Sequence, residues 1–104
     1  MKGYWIGHVT VTDPEAYKAY VAANARAFAK YGGRFLVRGG QYATLEGMTR
    51  QRHVVIEFPS YEAALACYRS PEYQEALRLR QAAGEADLMV VEGYDGPQPG
   101  EAAG

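Results

Sequence analysis

Residues Tyr31 to Gly40 read YGGRFLVRGG, a short alternating segment with a pair of glycines on each side. Glycine pairs are tolerated where a chain needs positive φ or a close backbone approach. Each pair therefore predicts a forced change of direction, with a strand over residues 34–38 between them. Simple alternation places Phe35 and Val37 on one face of that strand and Arg34, Leu36 and Arg38 on the other.

The segments around this strand predict the rest of the fold. A strand over residues 4–11 precedes a helix that begins at Asp13 and Pro14 and ends at Gly32 and Gly33. Further strands are expected over 52–58 and 88–92, and the helix between them is predicted to break and restart at Ser70 and Pro71. The order is that of an α+β, ferredoxin-like βαββαβ fold, a four-stranded antiparallel sheet with two helices on one face.

Length and charge limit the classes to which this protein can belong. The 104 residues predict a single domain over residues 1–95 and a flexible tail over residues 96–104. Eleven basic and twelve acidic residues give a net charge of -1, which offers no broad field to attract nucleic acid or a membrane surface. The start of the chain has neither a signal-peptide pattern nor a membrane span, and Cys67 is the single cysteine, so a cytoplasmic location is the expectation.

One face of the predicted sheet has no helix to cover it. Alternation assigns Tyr4, Ile6, His8 and Thr10 of the first strand to this face. The apolar residues that the other strands contribute to it are Leu36, Val55, Leu88 and Val90. An apolar patch of about 400 Å² is rarely left exposed by a monomer, so we expect a second copy of the chain to cover it.

Polar residues on the same face form the predicted site. His8 and Glu57 lie on strands that are neighbours in this topology, so the carboxylate is expected to orient the imidazole as a general base or proton shuttle. Arg34 or Arg38 would hold an anionic group, with Tyr4 as part of the ligand-binding wall. The alternative is an ion-pair cluster that only fixes the register of a dimer.

Other chemistry is weakly indicated. The two histidines and one cysteine match no metal-ligand spacing, and no cofactor is predicted. Cys67 falls among core-facing helix positions and is expected to be a small buried thiol. RNA binding is disfavoured because RQRHVVIEF lacks the exposed aromatics of RNA-recognition strands. Haem binding is disfavoured because His8 would lie beside charged groups.

Five blocks together resemble one family: YWIGHVTVTDPEAYKAY, GGRFLVRGG, VVIEFPS, YRSPEYQEA and VEGYDG. They are similar to the domain-of-unknown-function 1330 family, small bacterial proteins of the dimeric α+β barrel superfamily. The resemblance implies that two sheets pair through their open faces into a barrel. It implies no established reaction, because related barrels include oxygenases, isomerases and proteins without catalysis.

Two functions follow as hypotheses. The first is a homodimer that binds a small organic anion, with a cavity between helices and sheet or inside the barrel, and a cofactor-free oxygenase or isomerase as its enzymatic version. The second is a non-catalytic homodimer.

Overall fold

The structure is a computed structural model, and it describes residues 1–101. Seven elements follow one another along the chain: β1 (Gly3–Val11), α1 (Pro14–Lys30), β2 (Arg34–Arg38), β3 (Arg52–Phe58), α2 (Tyr61–Arg69), α3 (Pro71–Ala83) and β4 (Gly84–Glu92). The strands form one antiparallel sheet in the order β2-β3-β1-β4. The predicted α+β, ferredoxin-like fold is confirmed, with the second helix divided into α2 and α3.

Capping residues set the helix boundaries as predicted. The Asp13 carboxylate accepts a hydrogen bond from the Ala16 amide at 3.1 Å, which satisfies a free donor at the start of α1. Gly32 follows α1 with φ of 75°, a conformation that favours glycine. Ser70 ends α2 and begins α3: its buried hydroxyl donates to the Cys67 carbonyl at 2.7 Å and accepts from the Tyr73 amide at 3.1 Å.

The core lies between the helices and one face of the sheet, and Trp5 of β1 is at its centre. This side chain is 2% exposed, and its Nε1 donates to the Ala64 carbonyl of α2 at 2.8 Å. Its ring lies edge-on to Phe28 of α1 at 5.1 Å and to Tyr73 of α3 at 4.9 Å. Because these rings come from different helices, Trp5 joins the helix layer to the sheet.

The side chains of the central strand β1 face the sides of the sheet that the sequence predicted, whereas those of the edge strand β4 do not. β4 begins at Gly84, four residues before the predicted start, and its Leu88 lies opposite Gly7. Val90 lies opposite the buried Trp5, so both Leu88 and Val90 face the helices. Met89 and Val91 occupy the open face instead, and the predicted face assignment of β4 is wrong by one residue.

A bulge in β2 changes a second predicted face. Phe35 lies opposite Ile56, but the next paired residue is Val37, opposite Val55, so Leu36 is the extra residue. Beyond the bulge Arg38 lies opposite Val54 and turns toward the helices. The chain after Arg38 forms no strand through Leu45.

The domain is flat and elongated. Its extents are 50 × 33 × 17 Å, and its radius of gyration is 15.1 Å, against about 13 Å for a compact domain of this length. Its accessible surface is 6796 Å², whereas a folded monomer of 11.4 kDa exposes about 5,800 Å². Within residues 1–101, no helix is both long and apolar enough to span a membrane.

Removal of the tail over residues 96–104 is expected to leave the fold intact. In the described part, Gln98 bonds to Glu101, and Pro97 accepts a bond from Tyr94 at 2.7 Å; residues 102–104 lie outside the described residues. These contacts are local, so deletion after Asp95 should shift the melting temperature by no more than about two degrees. Calorimetry of the truncated protein is the measurement, and a loss of about ten degrees would show that the tail packs on the domain.

Candidate functional site

A cavity of about 210 Å³ lies between the helices and the covered face of the sheet. Its wall includes seven aromatic rings: Trp5, Tyr17, Tyr20, Phe28, Phe35, Tyr68 and Tyr73. Gly7 and Val54 form part of its sheet side. The absence of a side chain at Gly7 leaves room there, because a Cβ at this position would lie only 3.1 Å from Val54.

Three arginines also line the cavity. Arg38 stacks on the Phe35 ring with Cζ 4.1 Å from the ring centroid, and Arg52 lies 5.5 Å from the centroid of Tyr17. Arg80 donates from Nη1 to the Gly84 carbonyl at 3.1 Å. Among the lining residues that the structure describes there is no aspartate or glutamate. The cavity is therefore a positively charged, aromatic environment, which suits an anionic group.

Two residues that line this cavity each have a buried polar atom without a hydrogen-bond partner in the protein. Asn24 is 5% exposed, and its Oδ1 accepts nothing; the Nε of Arg52 is also buried and donates to nothing. A buried polar atom without a partner costs roughly 1–3 kcal/mol, and native proteins contain few of them. A bound molecule that pairs with both atoms would remove this cost.

The tyrosine hydroxyls in the wall are neutral hydrogen-bonding groups. The Tyr20 and Tyr73 hydroxyls lie 3.0 Å apart and are buried. Burial is the main cause that raises the pKa of Tyr20 and the pKa of Tyr73 above the ordinary tyrosine value. Both groups are therefore protonated at neutral pH and serve as donors and acceptors rather than bases.

The predicted contact between His8 and Glu57 is wrong. In the pairing of β1 with β3, His8 lies opposite His53, and Glu57 lies opposite Tyr4. Four residues along a strand separate His8 from the Tyr4 position, about 13 Å. The Nδ1 atoms of His8 and His53 lie 2.8 Å apart, so the partner of His8 is a second imidazole rather than a carboxylate.

Glu57 has two other partners on the open face. The Tyr4 hydroxyl donates to its Oε2 at 3.2 Å, and Arg34 Nε lies 4.0 Å from its Oε1. Partial burial and the hydrogen bond to Glu57 raise the pKa of Tyr4. The side chain of Glu57 is 18% exposed and that of Arg34 is 72% exposed, so the ion pair is formed mainly at the protein surface.

The predicted site residues thus belong to two different faces of the sheet. Tyr4, His8, Arg34 and Glu57 lie on the open face, whereas Arg38 lines the cavity on the helix side. The bulge in β2 explains the separation, because it reverses the face of every residue that follows it in the strand. A site that uses Arg38 and His8 together is not formed within one chain.

The sequence analysis did not identify Asn24 and Arg52 as cavity residues, although the position of each in its helix or strand indicated that it faces the core. Asn24 follows Tyr20 and precedes Phe28 by four residues, so the spacing of the buried helix face includes it. The next residue, Ala25, is exposed. Arg52 begins the alternation that places Val54 against the helices, and the same period places the arginine there.

Within residues 1–101, no group of three or more His, Cys, Asp or Glu side chains is arranged to hold a metal ion. Cys67 is fully buried on α2, and its thiol lies 3.7 Å from the Ala27 carbonyl. Burial raises the pKa of Cys67 to about 12. The thiol is therefore part of the core rather than a nucleophile.

The thiol of Cys67 should resist alkylation while the protein is folded. With a pKa of about 12, the reactive thiolate is scarce at pH 8, and the folded protein also shields the sulfur. We expect iodoacetamide to modify the native protein at least about 100-fold more slowly than the chain in denaturant, measured by mass spectrometry. Because Cys67 is the only cysteine, the denatured chain is its own control, and equal rates would contradict the burial of this side chain.

The open face of the sheet carries an apolar cluster: Ile6, Val37, Val55, Met89 and Val91. Val37 is 42% exposed and Met89 is 52% exposed, so these side chains are in contact with solvent.

The fold and the cavity define a ferredoxin-like α+β domain with a ligand-sized space between its helix layer and its sheet. Residues 2–94 match the family model described as a domain of unknown function (DUF1330), and the chain belongs to that family. The resemblance noted in the sequence is thereby confirmed. No protein with a curated description matches the chain.

Solved structures with the same fold come from several bacteria. A protein of unknown function from Rhodopseudomonas palustris is 24% identical with a TM-score of 0.74, covering 91% of this chain and 84% of that chain. SnoaB, a cofactor-independent oxygenase from Streptomyces nogalater, is 14% identical with a TM-score of 0.60, covering 96% of this chain and 98% of that chain. A dimeric, ferredoxin-like protein of unknown function from Bacteroides fragilis is 16% identical with a TM-score of 0.53, covering 88% and 96%. Identities this low show the fold alone.

Proposed function

We propose that this protein is a homodimer that binds a small organic anion in the cavity between its helices and its sheet. The observation that carries the proposal is the unpaired Nε of Arg52, buried in an aromatic wall beside Arg38. Arg52 is partly exposed and Arg38 is exposed, and no carboxylate is among the described lining residues, so a ligand that supplies a negative charge would pair cations that the protein leaves unpaired. Arg38 retains the anion-binding role that the sequence predicted for it, in the company of Arg52 rather than His8.

The size of the cavity limits the ligand. Small-molecule pockets commonly measure about 300–1,000 Å³, and this one measures about 210 Å³. A compound of one or two rings is therefore the appropriate size. Its aromatic wall favours a flat molecule, because rings stack on rings with offset or edge-on geometry.

The enzymatic version of the proposal is a cofactor-free oxygenase or isomerase. SnoaB, a cofactor-independent oxygenase, has the same fold, which is support by analogy. In the cavity, Arg38 and Arg52 would stabilise a substrate that reacts as its anion, since cations beside an acidic group favour the charged form. Among the described lining residues there is no histidine or carboxylate to act as base, so the acidity of the substrate itself would be decisive.

The homodimer is supported by the open face and by the Bacteroides fragilis protein, which is described as dimeric. A second copy packed sheet to sheet would cover Ile6, Val55 and their neighbours. Two polar groups lie on the same surface, the Tyr4–Glu57–Arg34 cluster and the His8–His53 pair. In the homodimer these polar groups would be buried, and only some alignments of the two sheets would keep their hydrogen bonds. They would therefore fix the register of the two sheets.

A non-catalytic homodimer is the second candidate function. It is favoured by the fact that Glu57 and His8 both have partners within their own chain, as structural polar groups do. A catalytic or ligand-binding role for His8, Glu57, Tyr4 and Arg34 would require a second cavity inside the dimer. The single, buried cysteine agrees with the cytoplasmic location that we propose for either function.

Fluorescence of Trp5 tests the binding proposal, because this residue lines the cavity and is the only tryptophan of the chain. Titration with benzoate and with naphthoate should change the emission saturably. Val54→Phe, which fills the cavity, should weaken binding at least about 10-fold through overlap with the ligand. The matched control is Leu79→Phe on the exposed side of α3, outside both the cavity and the open face, which should bind as the unmodified protein does. A failure of both compounds to bind, or equal binding by the two variants, would contradict the proposal.

A further inference from the structure

We infer that the ligand is an aromatic acid that carries a hydrogen-bond donor, such as a hydroxyl group, on the part of its ring away from the acid. This inference rests on the proposed function, and it assigns a separate task to each of two groups in the cavity wall. Arg52, with Arg38, binds the acid, and Asn24 accepts the hydrogen bond from the donor. The class of ligand is therefore the hydroxylated aromatic acids rather than aromatic compounds in general.

The acid-binding end is defined by two guanidinium groups near the end of the sheet. Arg52 lies opposite Val9 in β3, and Arg38 lies opposite Val54 at the end of β2. The Arg38 guanidinium stacks on Phe35 with Cζ 4.1 Å from the ring centroid, and Cζ of Arg52 lies 5.5 Å from the centroid of Tyr17. Within residues 1–101, neither arginine forms an ion pair. A carboxylate accepts from planar guanidinium donors with matching geometry, so it is the expected group at this end.

The donor-binding end is defined by Asn24 of α1. Asn24 is only 5% exposed, and its Oδ1 has no hydrogen-bond donor within the protein. An amide oxygen only accepts hydrogen bonds, so the complementary ligand atom must carry a hydrogen. The nearby wall consists largely of aromatic rings, including Phe28 one turn further along the helix. A hydroxyl on the ligand ring is therefore the group that fits Asn24.

The two ends lie at different positions along α1 within one cavity. Arg52 is beside Tyr17 at the start of α1, and Asn24 is seven residues further along the same helix, about 10 Å along its axis. A single ring with the acid and the hydroxyl on opposite sides spans a gap of this order, which agrees with the cavity of about 210 Å³.

A set of four probes tests the inference in the unmodified protein: para-hydroxybenzoate, benzoate, para-methoxybenzoate and phenol. Calorimetric titration should show para-hydroxybenzoate binding about 5- to 10-fold more tightly than benzoate or para-methoxybenzoate, which lack the donor. Phenol, which lacks the acid, should bind at least about 10-fold more weakly. Equal affinity for para-hydroxybenzoate and para-methoxybenzoate would overturn the role of Asn24, and equal affinity for phenol would overturn the role of Arg52.

Two variants assign these preferences to residues. Asn24→Leu should abolish the advantage of para-hydroxybenzoate over benzoate while the advantage over phenol remains. Arg52→Met should reduce the advantage over phenol while the hydroxyl is still preferred. If the hydroxyl preference persists in Asn24→Leu, the assignment of that residue is wrong. Should either variant fail to fold, the four probes in the unmodified protein still decide the inference.

The outcome also separates this inference from the proposal on which it rests. If neutral and charged rings bind equally well and Val54→Phe weakens all of them, the cavity is a binding site but the ligand class is wrong. If none of the four probes binds, both the inference and the proposed function fail.

Discussion

Val55→Asp should convert the dimer that we propose into a monomer. Val55 lies between Ile6 of β1 and Val37 of β2, at the centre of the open face. A carboxylate placed there would lose its hydration in the dimer without gaining a partner, a cost that a buried charge rarely recovers. We expect the dissociation constant to rise at least about 100-fold, which corresponds to ~2.7 kcal/mol. Sedimentation equilibrium at micromolar concentration is the measurement.

The control for this prediction is Leu79→Asp. Leu79 is 40% exposed on α3, in the helix layer on the other side of the sheet, so the same type of change there should leave the dimer intact. Two results would contradict the proposed dimer. One is a monomer mass for the unmodified protein, and the other is a dimer that tolerates aspartate at position 55.

Trp5→Ala is expected to cause the largest loss of stability. The Trp5 ring contacts Phe28, Phe58, Tyr68 and Tyr73, so its removal opens a cavity among four other rings. Large-to-alanine changes of this kind cost about 3–5 kcal/mol, a large part of the roughly 5–15 kcal/mol that stabilises a domain. The melting temperature should fall by about 15 degrees or more, measured by calorimetry at fixed protein concentration.

Trp5→Phe separates packing from hydrogen bonding at the same position. Phenylalanine retains most of the apolar contact but leaves the Ala64 carbonyl without the donor that it has at 2.8 Å. We expect a loss of about 1–3 kcal/mol, less than that of Trp5→Ala. A loss as large as that of the alanine variant would indicate that the hydrogen bond, rather than the ring, holds the helix layer on the sheet.

The sequence was sufficient to predict the elements of the fold, because their boundaries depend on local chemistry. Asp13, Ser60 and Ser70 cap helices through bonds to amides three residues away, so a short window contains the whole signal. The faces of β1 were predictable for a similar reason. Val9 lies between the polar residues His8 and Thr10, and the period of two assigns Val9, and Trp5 four residues earlier, to the core.

Other features depend on segments that are distant in the chain. In β4, residues 88–91 are all apolar, so alternation carries no information about which side chains face the helices. The partner of His8 depends on how β1 pairs with β3, about 45 residues away, and one strand register decides between His53 and Glu57. The bulge at Leu36 likewise appears only when two strands pair, and it moves Arg38 to the cavity.

The cavity itself was only partly predictable. The sequence suggested a space between helices and sheet and an arginine to hold an anion; Arg38 lines that space, although alternation had assigned it to the open face. Asn24 and Arg52 could not be recognised from the sequence, because a lone polar residue on a helix or at a strand end is usually solvated. Their unpaired atoms become visible only when the layers are packed.

Crystals soaked with para-iodobenzoate would test the central claim most directly, because the anomalous signal of iodine locates the ligand without any assumption about its site. We predict an iodine peak between α1 and the sheet, in the aromatic wall that includes Trp5 and Phe28, with the carboxylate on Arg38 and Arg52. Iodine found only on the open face, or absent from the cavity at a concentration that saturates the Trp5 fluorescence change, would contradict the claim that this cavity binds small organic anions.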